Sequence, residues 1–171
     1  MPSITYNQIK SRFLSKIEDY KFLTEYEDFS NEFIKEWLRS TLAKPKVRRI
    51  FDALSIDEEM DNFDFEIKYP VDDFSDAEYV IDILAYGIVV GWLEPKVQST
   101  INIQQMYGGK EEKFYAQANH LDTIKELLSE SSSKIGKLIR DRGYIYNSYL
   151  GWFYDTYVWN IHGQSNSSDK N

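Results

Sequence analysis

The sequence predicts an all-α fold: a small helical bundle with one long helix, a possible short β element near residues 62–70, and an extended aromatic C-terminal arm. Three observations predict it. "AEYVIDILAYGIVVGWLEPKV", Ala77 to Val97, is apolar around nearly its whole circumference, which marks a central, buried helix. Lys110 to Arg142 has no Pro, and Phe114, Leu121, Leu128 and Ile135 recur every seven residues with Ile124 and Leu138 in a second seam. Residues 144–171 change character, packing eight aromatics into Tyr144–His162 before a polar tail. These define a helical domain over residues 1–143 and an aromatic arm with a disordered tail over 144–171.

The first helix begins at a capping box, Thr5 and Gln8, with Ile4 and Ile9 as the hydrophobic staple. Tyr6, Ile9, Phe13, Ile17 and Tyr20 follow helical spacing. A second helix starts near Ser30 with Phe33, Ile34, Trp37, Leu38 and Leu42 on one face, and Pro45 ends or kinks it. Val47, Ile50, Phe51 and Leu54 resume a helical face. "IDEEMDNFDFEIKYPVDD" reads as an acidic loop. Within it Phe63, Phe65, Ile67 and Tyr69 alternate with polar residues, which permits a strand for which no pairing partner is evident.

A second capping box, Ser75 with Glu78, opens the apolar helix, with Phe74 and Tyr79 as its staple. Gly87 and Gly91 lie four apart on one face, and each costs about 1 kcal/mol of helix propensity. That cost points to a neighbouring backbone in close approach. Pro95 is expected to break the helix, a short helix follows from Val97 to Met106, and Gly108-Gly109 makes a turn. The heptad segment then forms one helix of up to ~50 Å, weakest at "SESSSK" around Ser131.

Composition narrows function more by exclusion than by signature. The apolar helix is uncharged only from Ile83 to Leu93, short of the ~20 residues a membrane span needs. The start lacks the layout of a secretory signal, and with no Cys there is no disulfide or thiolate chemistry. Two histidines, His120 and His162, fit no zinc spacing. Gly108-Gly109-Lys110 lacks the remainder of a phosphate loop, and the acidic run from Asp57 to Asp64 lacks the central Gly of a calcium loop. No catalytic residues, metal site or cofactor are expected.

Charge is unevenly distributed. Met1–Ile50 carries ten basic and seven acidic residues, Phe51–Lys96 two and thirteen, for segment charges of +3 and −11 within a total of −8. An acidic segment disfavours contact with nucleic-acid phosphates. "KPKVRR" is the single basic cluster. Its Lys44, Lys46, Arg48 and Arg49 read either as a solvated helix end or as an electrostatic contact with the acidic segment of another copy or with nucleic acid. Tyr144, Tyr146, Tyr149, Trp152, Phe153, Tyr154, Tyr157 and Trp159 exceed what a small core can bury. They are the candidate partner interface, because Tyr and Trp bury large areas with few rotors.

"RFLSKIEDYKFL", "ILAYGIVVGWLEPKV", "EEKFYAQANHL" and "LIRDRGYIYNSYL" resemble, in order and spacing, the head–tail adaptor (connector, or neck) class of tailed bacteriophages of Gram-positive hosts. The resemblance covers roughly residues 9–150 and rests on packing and assembly residues. It implies a virion protein of the neck, assembled in the host cytoplasm. Such a protein docks beneath the portal protein as a ring of twelve copies and meets a tail-side neck or stopper protein below. DNA passes through its channel without specific binding, past an acidic lining between Asp57 and Asp73. The segment from Tyr144 onward would grip the portal. The alternative is a non-viral helical adaptor or regulator that binds a partner through its aromatic C-terminal segment.

Overall fold

A computed structural model describes residues 2–17, 27–57, 61–107 and 111–145. The chain forms two compact units, Met1–Ile139 and Arg140–Asn171. The described elements are β1 (Ser3–Thr5), α1 (Tyr6–Leu14), α2 (Glu27–Ala43), α3 (Pro45–Arg48), β2 (Phe51–Asp57), β3 (Asn62–Ile67), α4 (Asp73–Tyr107) and α5 (Glu111–Ile145). Only the last turn of α5, from Arg140, belongs to the second unit.

The fold is mostly helical, but it is not all-α. β1, β3 and β2 form an antiparallel sheet in that order. The strand permitted near residues 62–70 is therefore real and central. Its partners are Ser3–Thr5 and Phe51–Asp57, of which Phe51 and Leu54 were expected on a helical face and Ile56 and Asp57 in the acidic loop. The misassignment has a physical cause. A bulge between Phe51 and Ala53 shifts the register, so that Phe51 and Leu54 face the same side although three residues apart. Phe51 is paired with Ile67, Leu54 with Phe65 and Ile56 with Phe63, and this face carries the apolar side chains. Phe51 meets Phe65 edge-on with ring centroids 6.1 Å apart.

At the first helix the capping box forms as expected: the Gln8 backbone N–H donates to Thr5 Oγ1, and the Thr5 N–H donates to Gln8 Oε1 at 2.7 Å. Tyr6, Ile9 and Phe13 are buried, and the helix ends at Leu14. α2 begins at Glu27, three residues before the expected start, and stops at Ala43 ahead of Pro45. Pro45 takes the first position of α3, where its missing N–H costs nothing. Ile34, Leu38 and Leu42 form the inner face of α2, whereas Phe33 remains 48% exposed and stacks on Trp37 at 6.0 Å.

The cap of α4 differs from the expected one. Asp72 Oδ1 accepts from the Ser75 N–H at 2.8 Å, so Asp72 is the capping side chain and Ser75 lies inside the helix. Asp76 is buried and accepts from the Val71 N–H at 3.0 Å. Phe74 serves no staple, being 76% exposed. Beyond the cap, Val80, Ile81, Ile83, Leu84, Ile88 and Leu93 are buried, as the all-round apolar pattern requires. α4 also runs through Pro95 without the expected break, and its helical assignment continues to Tyr107. Gly91, at i−4, carries no side chain to add to the crowding of the ring.

α1 and α2 both pack on α4, which places α4 at the centre of the first unit. Gly87 and Gly91 are the contact points with α2. A Cβ on Gly87 would lie 2.1 Å from Thr41 Cγ2, and one on Gly91 would lie 2.6 Å from Trp37 Cγ. The neighbour in close approach is not a backbone, as the glycine pair led one to expect, but the side chains of Thr41 and Trp37 on α2. Opposite them, Arg12 of α1 bridges Glu78 and Asp82 of α4, and Lys16 reaches Asp82 at 3.1 Å. Hydrogen bonds to Glu78 and Asp82 hold the Arg12 guanidinium above its ordinary pKa. The bridge is partly exposed and sets helix alignment more than stability, with a contribution below about 1 kcal/mol.

α5 is a single helix from Glu111 to Ile145, of the length the heptad pattern predicts. Leu121, Ile124, Ser131 and Ile135 are buried, so the interruption at Ser131 is accommodated within the packed face. Gly108-Gly109 and the side chain of Phe114 lie outside the described residues.

Candidate interaction surface

The basic cluster is built by Pro45. That residue starts a four-residue helix, with Lys44 at its N-cap and Arg49 at its C-cap. Val47 and Ile50 are buried and anchor the turn, which leaves Lys46, Arg48 and Arg49 exposed and Lys44 half-buried. None of the four forms an ion pair among the described residues. Lys46 Nζ stands 2.6 Å from where a Gly136 Cβ would be, so its ammonium end lies against α5 of the same unit.

Several carboxylates of the acidic segment have partners within the fold. Asp61 pairs with Lys35 at 2.7 Å, Glu78 and Asp82 bind Arg12, and Asp72 and Asp76 serve the start of α4. Those carboxylates are occupied by the fold. Asp64 and Glu66 instead project from the sheet face opposite the apolar one, where both are exposed. The cross-strand neighbours of Asp64 are Ser3 and Ser55, and that of Glu66 is Ala53. Within β1, β2 and β3 this outer face carries no cation, and Lys68 follows just past the end of β3, its N–H donating to the Ile50 carbonyl.

A feature that sequence reasoning missed follows β3. Tyr69, Pro70, Val71 and Phe74 are all exposed within six residues, Val71 by 61% and Phe74 by 76%. The signal was present in "YPVDDF", where apolar residues alternate with turn formers. Assigning Phe74 to a staple concealed it.

A cleft of about 90 Å³ lies between α2 and the sheet, with Tyr6, Lys35, Leu38, Arg39, Ile56 and Asp61 among its walls. It is well below the ~300 Å³ at which small-molecule sites begin, and Lys35 and Asp61, two of its walls, are paired with each other. Tyr6 is buried there, with its hydroxyl donating to the Asn31 carbonyl at 3.3 Å. Burial, and secondarily the charge of Asp61, push its phenol up to about 12. Because the folded pKa lies above the ordinary value of 10, the protonated phenol favours folding in full below pH 10, and that contribution disappears as pH rises through 12. The denaturant midpoint should be flat from about pH 7 to 9 and fall between 10 and 12. Tyr6→Phe should flatten part of that alkaline fall.

Of the predicted aromatic interface, Tyr144 falls in the last turn of α5. Its side chain and Tyr146, Tyr149, Trp152, Phe153, Tyr154, Tyr157 and Trp159 lie outside the described residues. Among the described residues, no helix is long and apolar enough to cross a membrane, and no group of three or more His, Cys, Asp or Glu is placed to hold a metal ion. The chain matches no protein-family model, no curated protein and no solved structure.

Proposed function

We propose that the chain is a structural subunit of a tailed-phage neck. In this reading it is a head–tail adaptor that docks beneath the portal, assembles into a ring and extends the DNA channel toward the tail. The observation that carries the reading is the exposed apolar run Tyr69–Phe74 at the start of α4, the helix that α1 and α2 hold in place. Exposed apolar side chains gathered within six residues suit a protein contact, and a frame fixed by the Gly87–Thr41 and Gly91–Trp37 contacts presents them in one geometry. The family resemblance supplies the portal and the tail-side protein as partners. The aromatic segment from Tyr144 supplies a second contact, and the net charge of −8 suits DNA transit without adhesion.

Electron microscopy of the full chain, alone and mixed with a portal ring encoded beside it, tests the reading. Rings of uniform copy number with a central channel are expected in at least one sample. Monomers in both, at every concentration, would overturn it. Phe74→Ser should weaken assembly while changing the unfolding free energy by less than about 0.5 kcal/mol, as befits a surface position.

A further inference from the structure

We propose that copies of this chain associate by seating the basic corner of one, Lys46, Arg48 and Arg49, on the acidic outer sheet face of the next, centred on Asp64 and Glu66. The proposal rests on the reading of the chain as an assembling subunit and names the surfaces that meet. It also removes Asp64 and Glu66 from the channel lining that the acidic segment was expected to provide.

Four observations carry it. The two patches have opposite charge, all five side chains are exposed, and none forms an ion pair among the described residues. The acidic patch has no inhibiting bulk, since its cross-strand neighbours are Ser3, Ser55 and Ala53. A planar guanidinium can therefore reach either carboxylate for the bidentate pairing that Arg favours. The basic corner is held out by a buried Val47 and Ile50 on either side of Arg48 and Arg49, so its cations are presented by a fixed turn. Finally, Asp61, Glu78 and Asp82 of the same segment are engaged by Lys35, Arg12 and Lys16, whereas Asp64 and Glu66 stand without an ion pair among the described residues, side by side on one sheet face. A second copy is the occupant because this chain carries both halves of the complement.

The test uses the full chain and two charge-reversed variants, Lys46→Glu/Arg48→Glu/Arg49→Glu and Asp64→Lys/Glu66→Lys. Mass is followed by sedimentation or native mass spectrometry at low and high salt. Wild type should associate, with the association constant falling at least about tenfold between 0.05 and 0.5 M salt as the charges are screened. Each variant alone should lose association by at least about tenfold, and an equimolar mixture of the two should regain it, because reversed patches complement each other. The neutral set Lys46→Gln/Arg48→Gln/Arg49→Gln gives the same loss without repulsion and serves if a reversal disturbs folding. If wild type and both variants assemble alike, the contact lies elsewhere and the proposal falls while the ring reading stands. If wild type never assembles, with or without a portal, both fall. Loss in the corner variant with no recovery on mixing, together with lost binding to a short DNA duplex, would assign the corner to phosphate and overturn the proposal.

Discussion

Gly87→Val is expected to lower the unfolding free energy by about 3 kcal/mol or more. The native glycine faces a gap already filled by Thr41, and an added Cβ would sit 2.1, 2.5 and 2.8 Å from three Thr41 side-chain atoms. Thr41 cannot yield cheaply. It is 1% exposed, has a β-branched side chain, and its hydroxyl donates to the Trp37 carbonyl at 2.8 Å. The helices must separate, and separation also breaks the Gly91–Trp37 contact one turn away. Gly87→Ala is the milder probe. Its overpacking is offset by about 1 kcal/mol of helix propensity, so a net loss of about 1–2 kcal/mol is expected. Adding Thr41→Ala should recover part of it, with a coupling of at least about 0.5 kcal/mol in a double-mutant cycle by urea unfolding. Independent effects of the two substitutions would show that α2 and α4 are not in contact there.

Phe65→Ala should cost about 3–5 kcal/mol. Phe65 is fully buried in the middle strand, paired with Leu54 and packed edge-on against Phe51. Its removal leaves a void where the sheet meets the helical core and loses the aromatic pair as well, itself worth about 1 kcal/mol. Asp64→Ala, one residue away on the solvent face, should be neutral within about 0.5 kcal/mol. The contrast measures the alternation directly. Equal costs at the two positions would mean that Asn62–Ile67 is not a strand with one buried face.

Much of the helical frame was legible because each helix carries a local signal of its own. Thr5 and Gln8 cap α1 with only neighbouring atoms, and the apolar circumference of Val80–Leu93 requires burial whatever surrounds it. The sheet was not legible because its signals are non-local. Ser3–Thr5 is too short to show a period, and its partner lies some sixty residues on. Phe51–Asp57 imitates a helix because its bulge sets Phe51 and Leu54 on one face at helical spacing. At Ser75 a correct motif in the wrong place hid Asp72, whose carboxylate caps the same turn three residues earlier. Pro95 failed as a stop signal because the penalty of one lost hydrogen bond is small beside the burial that holds α4. For the interaction surface, the basic corner was visible as a run of like charge. The free carboxylates were not, because only the fold shows which of the acidic residues are already spoken for.

The placement of β1 has a consequence for the order in which the molecule is made. Ser3, Ile4 and Thr5 are made some sixty residues ahead of Asp64, Phe63 and Asn62, yet they pair with them. Synthesis must therefore pass through α1, α2 and β2 before β1 finds its ladder. Closing so long a loop carries an entropic cost that local helix formation does not. α1 and the body of α2 can form within their own stretches of chain. The sheet waits for the nascent chain to pass Ile67, and until then Ile4 has no strand to rest against.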